Sequence, residues 1–261
     1  MNTTDYLREI GVREIPPRTA PFDPGYDAHT LKEHLRLSSH LMAGMKISMA
    51  CWQIANESVT KEKIAACKEY GVTAGAGGGP LEVAAYFDRL PQYLDLCMHV
   101  GLDRVEAGEG FVRTKINPSE LIQMANDRNL QVQFELGEKH AGAFDGPVVD
   151  GLIRQGLEWL NAGAKQLVIE ARESALGVGL FDDGGRLNEK LAKRFMDSFG
   201  EDHVVFEAPV KKSQFALLDF FGPGVYLGNV RLEELLRVEI YRRGLHSDAF
   251  AKENLRPLGP K

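Results

Sequence analysis

The stretch that decides the fold is Gln131–Lys139, which reads QVQFELGEK. Its first six residues alternate polar and apolar side chains, as in a strand that buries one face against helices and turns the other inward. Glu135 ends the polar face, and a short Gly-Glu turn leads to Lys139. The stretch therefore predicts a β-strand that delivers a carboxylate, and then an ammonium group, to one end of a sheet.

Similar apolar runs recur along the chain and alternate with helical stretches. The other predicted strands are Arg18–Phe22, Met45–Cys51, Val72–Ala76, Arg104–Gly108, Gln166–Ala171, Val204–Ala208 and Gly224–Leu227. The predicted helices are Ala28–Met42, Thr60–Tyr70, Leu81–His99, one that begins at Asn117, Val148–Asn161, Leu187–Phe199, Lys212–Phe220 and Leu232–Arg243, with Pro91 kinking or splitting the third. Eight βα units without a GxGxxG in the first predict an α/β fold of one (β/α)₈ barrel rather than a doubly wound sheet.

Length and composition set the class of protein. The 261 residues suit one barrel domain, with a short N-terminal arm over about residues 1–15 and a loose C-terminal tail over about 251–261. Lys+Arg 31 against Asp+Glu 37 gives a net charge of −6, which argues against nucleic acid and anionic membranes as partners. Charged residues such as Asp5 and Arg8 lie where a signal peptide needs an apolar run, so we expect a cytoplasmic protein. Three cysteines without a CxxC pair predict neither a disulfide framework nor a zinc cluster. The expected partners are small anionic substrates and further copies of the chain.

A glutamate ends each of four successive predicted strands. These residues are Glu106, Glu135, Glu170 and Glu207. In a barrel of this kind the active site lies at the C-terminal ends of the strands, so the four carboxylates are expected on one rim. Their mutual repulsion requires a cation, a protonated member or basic partners, and an oxygen-only set favours Mg²⁺ or Mn²⁺ over zinc. The candidate basic partners are Lys46, Lys139 and Arg172. Alternatively, any one glutamate forms a salt bridge at a strand end or caps a helix.

Two backbone-rich segments are candidate anion sites. Gly77 and Gly78 follow the third strand and precede a helix, while Gly228 and Asn229 follow the eighth. Backbone N–H groups in such positions bind phosphate or carboxylate, although a plain turn has the same sequence. Cys51 is a candidate nucleophile near Lys46, although a buried inert cysteine is the commoner case.

The motifs at these strand ends resemble those of the phosphosulfolactate synthase family, from about Arg18 to Phe250. The matching segments are Gly77-Gly78 with Glu82, Val105-Glu106, Glu135–Lys139, Glu170–Ser174, Gly179–Asp182, Phe206–Pro209, Leu227–Asn229 and Arg242–Leu245. Members of that family are (β/α)₈ barrels that add sulfite to phosphoenolpyruvate with magnesium, on the way to coenzyme M.

The resemblance implies roles for particular residues. Lys139 matches the family lysine expected to transfer the carbon-bound proton of the substrate, while Lys46 and Arg172 would neutralise anionic substrates. Further matches to polar strand-end positions are Arg18, Asp23, Glu106 and Glu207. These matches imply an enolate stabilised by a magnesium ion.

The chain departs from the family motifs at several positions that would face the substrate. Glu138 stands where the family has the first lysine of a Lys-Lys pair, Gly79 where it has threonine, and Phe111 where it has serine. The Lys46–Trp52 segment also differs after its lysine. Because sulfite and phosphate esters need donors and positive charge, these departures predict weak use of sulfite.

The leading hypothesis is therefore a magnesium-dependent carbon–sulfur lyase or synthase that acts on phosphoenolpyruvate or a related enol or enoyl carboxylate, with sulfite as the default nucleophile. One alternative is a divergent barrel enzyme of specialised metabolism that uses another nucleophile. The other is a non-catalytic relative, similar to the plant heat-stress-associated proteins.

Overall fold

The architecture is a closed barrel of eight parallel strands in chain order. A computed structural model describes residues 1–47, 49–112 and 115–260. Each strand pairs with the next, and the eighth returns to the first, so the predicted (β/α)₈ barrel is confirmed. The strands are β1 (Thr19–Asp23), β2 (Met45–Ile47), β3 (Ala74–Ala76), β4 (Arg104–Gly108), β5 (Gln131–Leu136), β6 (Gln166–Ile169), β7 (Val204–Glu207) and β8 (Tyr226–Arg231).

Helices surround the barrel and cover the apolar outer faces of the strands. They are α1 (Thr3–Glu9), α2 (Ala28–Ser38), α3 (Cys51–Ile54), α4 (Glu57–Glu69), α5 (Gly79–Tyr86), α6 (Leu90–Val100), α7 (Pro118–Asn126), α8 (Gly146–Ala162), α9 (Glu189–Phe199), α10 (Lys211–Phe221), α11 (Leu235–Arg242) and α12 (Ser247–Phe250). Short 3₁₀ turns span Ser39–Leu41 and Leu232–Glu234. Across the described ranges, no helix has the length and apolar character needed to span a membrane.

The structure differs from the sequence prediction after β2 and within the third predicted helix. The predicted strand Met45–Cys51 contains Ser48, which lies outside the described residues, and the observed strand ends at Ile47. Met49 has a φ of 45°, a left-handed conformation that cannot continue a strand, so Cys51 opens α3. Pro91 lies in the first turn of α6, where its missing N–H is tolerated, and the predicted helix is split there as expected.

Both ends of the described chain contain ordered structure: a helix lies within the predicted N-terminal arm, and contacts hold the predicted C-terminal tail. Residues 3–9 form α1, which Asn2 caps by accepting a hydrogen bond from the Asp5 N–H. In the tail, Leu255 is buried, and the Leu258 N–H donates to the carbonyl of Gly11 at 2.9 Å. The bond between Leu258 and Gly11 joins backbone groups far apart in sequence, which a local pattern cannot predict. Lys261, the last residue of the predicted tail, lies outside the described residues.

Side chains from α11 hold the seam where β8 meets β1. The register between these strands shifts between Thr19 and Pro21. Arg242, fully buried, donates to the Thr19 hydroxyl at 3.0 Å and to the Val225 carbonyl at 2.8 Å. The Thr19 hydroxyl in turn donates to Glu239 Oε1 at 2.6 Å. Side-chain hydrogen bonds therefore supplement the backbone ladder at the irregular strand pair.

α8 packs closely against β5 and β6, the two strands that lead to Glu135 and Glu170. The Trp159 ring stacks on Phe134 of β5, with ring centroids 4.1 Å apart. Gly156 faces the same surface, and a Cβ built there would lie 2.6 Å from Phe199 Cζ and 2.7 Å from Leu167 Cδ1. The absence of a side chain at residue 156 therefore sets how closely the helix approaches the sheet.

Two glycine substitutions in α8 should have opposite effects on stability. Gly156→Ala should lower the free energy of unfolding by about 1–3 kcal/mol, because the new methyl group overpacks the interface. Gly151→Ala is the matched control: it has no neighbour within 4 Å, so helix propensity should raise stability by up to about 1 kcal/mol. Urea unfolding followed by circular dichroism measures both values. Equal effects of the two substitutions would contradict the close packing at Gly156.

Candidate active site

The four strand-end glutamates lie on one rim of the barrel and face one cavity. Glu106 belongs to β4, Glu135 to β5 and Glu207 to β7, while Glu170 directly follows β6. All four are buried, with at most 4% of each residue exposed, and all four line a cavity of about 1320 Å³. We call them the rim glutamates. Alternation along parallel strands accounts for this convergence, because each glutamate occupies an inward position at the C-terminal end of its strand.

Lys139 bridges two of the rim glutamates. Its Nζ lies 2.6 Å from Glu135 Oε1 and 2.7 Å from Glu170 Oε2. Burial alone would lower the pKa of Lys139, but the two carboxylates outweigh it and the pKa is raised. Lys139 therefore carries its proton at neutral pH.

The two carboxylates that Lys139 bridges are not equivalent. Burial raises the pKa of Glu135, and the negative charge of Glu170 raises it further. Burial also acts upward on Glu170, but Lys139 and the Arg172 N–H, which donates to Oε1 at 2.5 Å, bring the pKa of Glu170 below its usual value. Of the pair, Glu170 is thus the better-stabilised carboxylate and Glu135 the easier one to protonate.

Lys46 neutralises the other side of the rim. Its Nζ lies 2.8 Å from Glu106 Oε2 and 3.9 Å from Glu207 Oε1. Burial lowers the pKa of Lys46, but Glu106 and Glu207 more than compensate and the pKa is raised. Burial likewise raises the pKa of Glu106, although Lys46 opposes it. Glu106 Oε1 also accepts the Gly78 N–H at 3.1 Å, which ties the glycine turn to the rim.

Glu207 is the rim glutamate whose charge is least favoured. Burial, followed by the charges of Glu170 and Glu135, raises the pKa of Glu207 well above its usual value. Its Oε2 accepts the Ala171 N–H at 2.9 Å, and its Oε1 accepts a hydrogen bond from the Asn229 side chain. Asn229 has a φ of 50°, a left-handed conformation that asparagine tolerates better than most residues.

Of the four residues predicted to bind an anion, Gly77, Gly78 and Asn229 line the large cavity and Gly228 does not. Gly77 and Gly78 line the large cavity where α5 begins, and Asn229 also lines it. Gly228 does not: it borders a cavity of about 30 Å³ inside the barrel, and a Cβ there would lie 2.9 Å from Val205 Cγ1. Gly228 therefore serves strand packing, and its predicted contact with substrate is wrong.

Arg18 lies at the opposite end of the barrel, so its predicted role in substrate binding is also wrong. Its Nη1 pairs with Asp202 at 2.8 Å, and its guanidinium lies 4.3 Å from the centroid of the Tyr226 ring. Arg18 precedes β1, Asp202 precedes β7 and Tyr226 begins β8, so all three mark the amino ends of strands. Contacts at this face of a barrel usually stabilise the fold.

Two further sequence hypotheses are not supported by the arrangement of side chains. Glu138 is exposed and does not line the cavity, although its neighbour Lys139 does. Its negative charge therefore has less influence on a bound anion than its position beside Lys139 suggests. Cys51, the candidate nucleophile, opens α3 and also lies outside the cavity lining.

Glu82 is a functional candidate that the analysis of strand ends missed. It lies on α5, is fully buried, and its Oε2 accepts the N–H groups of Phe111 and Val112 at 2.9 and 3.0 Å. Glu82 thereby fixes the segment after β4 over the cavity. The available signal in the sequence was its position three residues after Gly79, which follows the Gly77-Gly78 motif. Because Glu82 lies on a helix, a search restricted to the ends of strands does not find it.

The rim glutamates offer oxygen ligands for a metal ion. Carboxylate oxygens suit a hard cation such as Mg²⁺ or Mn²⁺, but here lysine nitrogens already lie between these oxygens. Within the described ranges, no three His, Cys, Asp or Glu side chains are grouped so that they could hold a metal ion. The described arrangement of side chains therefore does not fit a magnesium ion. Magnesium binding remains a prediction from the sequence.

A barrel whose C-terminal rim concentrates buried carboxylates and lysines in a large cavity has the architecture of a barrel enzyme. The model of the (2R)-phospho-3-sulfolactate synthase (ComA) family matches residues 17–248, so the chain belongs to that family. It is an enzyme of the phosphosulfolactate synthase type. This membership, with the lysines and glutamates assembled at one rim, speaks against the non-catalytic alternative.

Comparison with individual proteins agrees with this family. The chain is 29% identical to the phosphosulfolactate synthase of Methanocaldococcus jannaschii, over 97% of this chain. It is also 29% identical to the phosphosulfolactate synthase of Methanothermobacter thermautotrophicus, over 98% of this chain. In both cases the match covers 100% of the relative. It is 26% identical to the Bacillus subtilis enzyme, over 94% of this chain and 98% of that enzyme. Among solved structures, KGPDC from Streptococcus mutans is similar in fold, with a TM-score of 0.53 and 12% identity over 82% of this chain and 86% of that chain.

Removing the bridging ammonium should destabilise the protein in a pH-dependent way. In Lys139→Met, Glu135 and Glu170 face each other without a cation, so burial and repulsion raise their pKa values. A carboxyl group with a raised folded-state pKa loses its stability contribution as the pH rises above its usual value of 4.5. We expect a loss of about 3 kcal/mol at pH 8 and a smaller loss at pH 5, measured by urea unfolding.

The double variant Lys139→Met/Glu135→Gln is the control for that experiment. It removes one of the two repelling charges, so it should recover much of the stability at pH 8. An equal loss at both pH values, without recovery in the double variant, would contradict the bridging role of Lys139.

Magnesium binding is tested by thermal unfolding. Because lysines already pair with the rim oxygens, we expect millimolar Mg²⁺ alone to leave the melting temperature unchanged. Differential scanning calorimetry of the wild type and Glu170→Gln, with and without the ion, decides the question. A rise in the wild type that Glu170→Gln abolishes would instead establish the metal site predicted from the sequence.

Proposed function

We propose that the enzyme adds a sulfur nucleophile across the double bond of an enol or enoyl carboxylate, with phosphoenolpyruvate as the default acceptor and sulfite as the default nucleophile. The family model is named for (2R)-phospho-3-sulfolactate, a compound that contains both a phosphate ester and a carbon–sulfur bond. The observation that carries the proposal is the position of the Lys139 side chain between two buried glutamates at the cavity wall.

The acceptor would bind with its anionic groups near the glycine turn and the basic side chains. Gly77 and Gly78 lie at the N-terminus of α5, where the helix dipole favours a carboxylate or phosphate, although the Gly78 N–H itself already donates to Glu106. Arg172 lines the cavity and is exposed at its mouth. Among the described residues, the Arg172 guanidinium forms no ion pair, so it is available to an anionic substrate.

The reaction begins when the sulfur lone pair attacks the methylene carbon of the acceptor. A carbon–sulfur bond forms, and the π electrons move toward the α-carbon and its carboxylate. Positive charge from Lys46 and Arg172 stabilises this enolate-like intermediate.

Lys139 then donates its Nζ proton to the α-carbon. Lys139 carries a proton at neutral pH and lies at the cavity wall, so it is positioned to deliver that proton in the direction of addition. About a quarter of its side chain, 27%, is exposed, so solvent can restore the proton.

Turnover of phosphoenolpyruvate with a sulfur nucleophile, followed by phosphorus NMR, tests the proposal. Lys139→Met should reduce kcat by at least about 100-fold, as expected on loss of a general acid. Arg18→Gln is the control, because Arg18 lies at the far end of the barrel; its kcat should equal that of the wild type. Undiminished turnover in Lys139→Met would overturn the assigned acid.

A further inference from the structure

Two arginines line the part of the cavity that the segments after β6, β7 and β8 form. Arg231 is the last residue of β8, and Arg172 follows β6. Pro209, which follows β7, lines the same part. A third arginine, Arg89, also lines the cavity, but it lies between α5 and α6, on the side of β3 and β4. Adjacent strand ends therefore bring two guanidinium groups to one side of the cavity.

Glu207 connects the two segments that carry these arginines. Its Oε2 accepts the Ala171 N–H at 2.9 Å, and Ala171 directly precedes Arg172. Its Oε1 accepts a hydrogen bond from the side chain of Asn229, which lies shortly before Arg231 on β8. A buried residue of the rim thus fixes the backbone of both segments.

Arg231 is held by one edge of its guanidinium group. Its Nε–H donates to Glu233 Oε1 at 2.5 Å. Its guanidinium carbon lies 5.8 Å from the centroid of the Phe22 ring, which also lines the cavity. Among the described residues, the N–H groups of the two Nη atoms have no acceptor. These groups form the planar pair of donors with which arginine binds an anion.

Glu233 is held in turn by Tyr26. The Tyr26 hydroxyl donates to Glu233 Oε2 at 2.8 Å. The backbone of Tyr26 is fixed by two buried side chains: Asp23 Oδ1 accepts its N–H at 2.7 Å, and Lys63 Nζ donates to its carbonyl at 2.7 Å. Asp23 and Lys63 also form an ion pair. Hydrogen bonds therefore lead from a buried ion pair to the guanidinium group of Arg231.

This side of the cavity suits a phosphate group better than the rim does. At the rim, both lysines are already paired with buried carboxylates. Beside Arg172 and Arg231, a phosphate group would meet two guanidinium groups that retain donors. The carboxylate of Glu173 lines the same side, but it is exposed, so solvent and salt screen its repulsion.

We propose that Arg231, together with Arg172, binds the phosphate group of the acceptor, and that Glu233 and Tyr26 are positioning residues for Arg231. The inference rests on the proposed function and assigns a specificity-determining residue to it. The family is named for a product that carries a phosphate group, so the phosphate ester is retained during addition. Arg231 would contact this group in substrate and product alike. Such uniform binding lowers KM more than it raises kcat.

The position of the proton donor agrees with this orientation of the acceptor. In phosphoenolpyruvate the phosphate oxygen is bonded to the α-carbon, which is the atom that Lys139 would protonate. Lys139 Nζ lies 2.7 Å from Glu170 Oε2, and Glu170 Oε1 accepts the Arg172 N–H at 2.5 Å. An α-carbon beside Lys139 would therefore carry its phosphate group toward the segments after β6 and β8.

Steady-state kinetics of Arg231→Gln with phosphoenolpyruvate and sulfite tests the assignment. KM for phosphoenolpyruvate should rise about tenfold or more, because charge-assisted hydrogen bonds to the phosphate group are lost. This rise should exceed any fall in kcat, and KM for sulfite should stay close to the wild-type value. A rise confined to the KM for sulfite would assign the arginine to the nucleophile and overturn the proposal.

Arg36→Gln is the matched control for that experiment. Arg36 is exposed on α2, donates to Glu33 through Nε and Nη2, and does not line the cavity. It therefore resembles Arg231 in its pairing with a nearby glutamate but not in its location, and this variant should match the wild type. Equal effects of the two substitutions would contradict binding at Arg231.

Binding is also measured without chemistry, by calorimetry with phospholactate, which has the carboxylate and phosphate groups of the acceptor but no double bond. Lactate is the matched ligand without phosphate. The wild type and Arg36→Gln should prefer phospholactate, and Arg231→Gln should lose most of this preference. The preference without turnover of phosphoenolpyruvate would support the phosphate site and count against the addition reaction. Its absence in the wild type, or its persistence in Arg231→Gln, would overturn the site.

A double-variant cycle tests Glu233 as a positioning residue. Glu233→Ala should raise KM for phosphoenolpyruvate, but less than Arg231→Gln does, because the guanidinium group remains and only its support is lost. Glu233→Gln keeps an acceptor oxygen and should restore part of the affinity. In Arg231→Gln, the further change Glu233→Ala should leave KM unaltered. Additive effects, or a lower melting temperature with an unchanged KM, would contradict the positioning role.

Discussion

The interaction on which the rest of the site depends is the contact of two lysines with the four buried rim glutamates. Without Lys46 and Lys139, four glutamates at adjacent strand ends could not remain both buried and charged. The lysine depends on the carboxylates in turn, because they keep Lys139 protonated despite its burial. Chemistry and stability are therefore coupled: the proton donor is also the cation that allows its neighbours to be buried.

Much of the fold and of this rim could be predicted from short patterns. Gln131–Leu136 shows strict alternation, and both its bounds and the inward position of Glu135 follow from that periodicity. Each of the other rim glutamates ends a comparable apolar run. In parallel strands such positions share one edge, so the convergence of the four side chains needed no knowledge of long-range contacts.

The predictions failed where a residue's role depends on contacts that local sequence does not encode. Arg18 matched a polar position at a strand, but it precedes the strand instead of following it and therefore lies at the wrong end of the barrel. Cys51 was displaced by the left-handed turn at Met49. Glu82 escaped notice because a helix carries it. Gly228 was assigned to ligand binding because strand packing and ligand contact both favour glycine.

The seam between β8 and β1 has a consequence for the order in which the protein folds. The hydrogen bond from Thr19 to Glu239 spans 220 positions of the chain, so it closes one of the longest loops in the molecule. Loop closure of that length has a high entropic cost, and we expect it late in folding. Asn229, which contacts Glu207, lies on the strand that closes the barrel. A partly folded chain would therefore hold the rim glutamates in place before it has a complete pocket, and binding competence would arrive only with the final closure of the barrel.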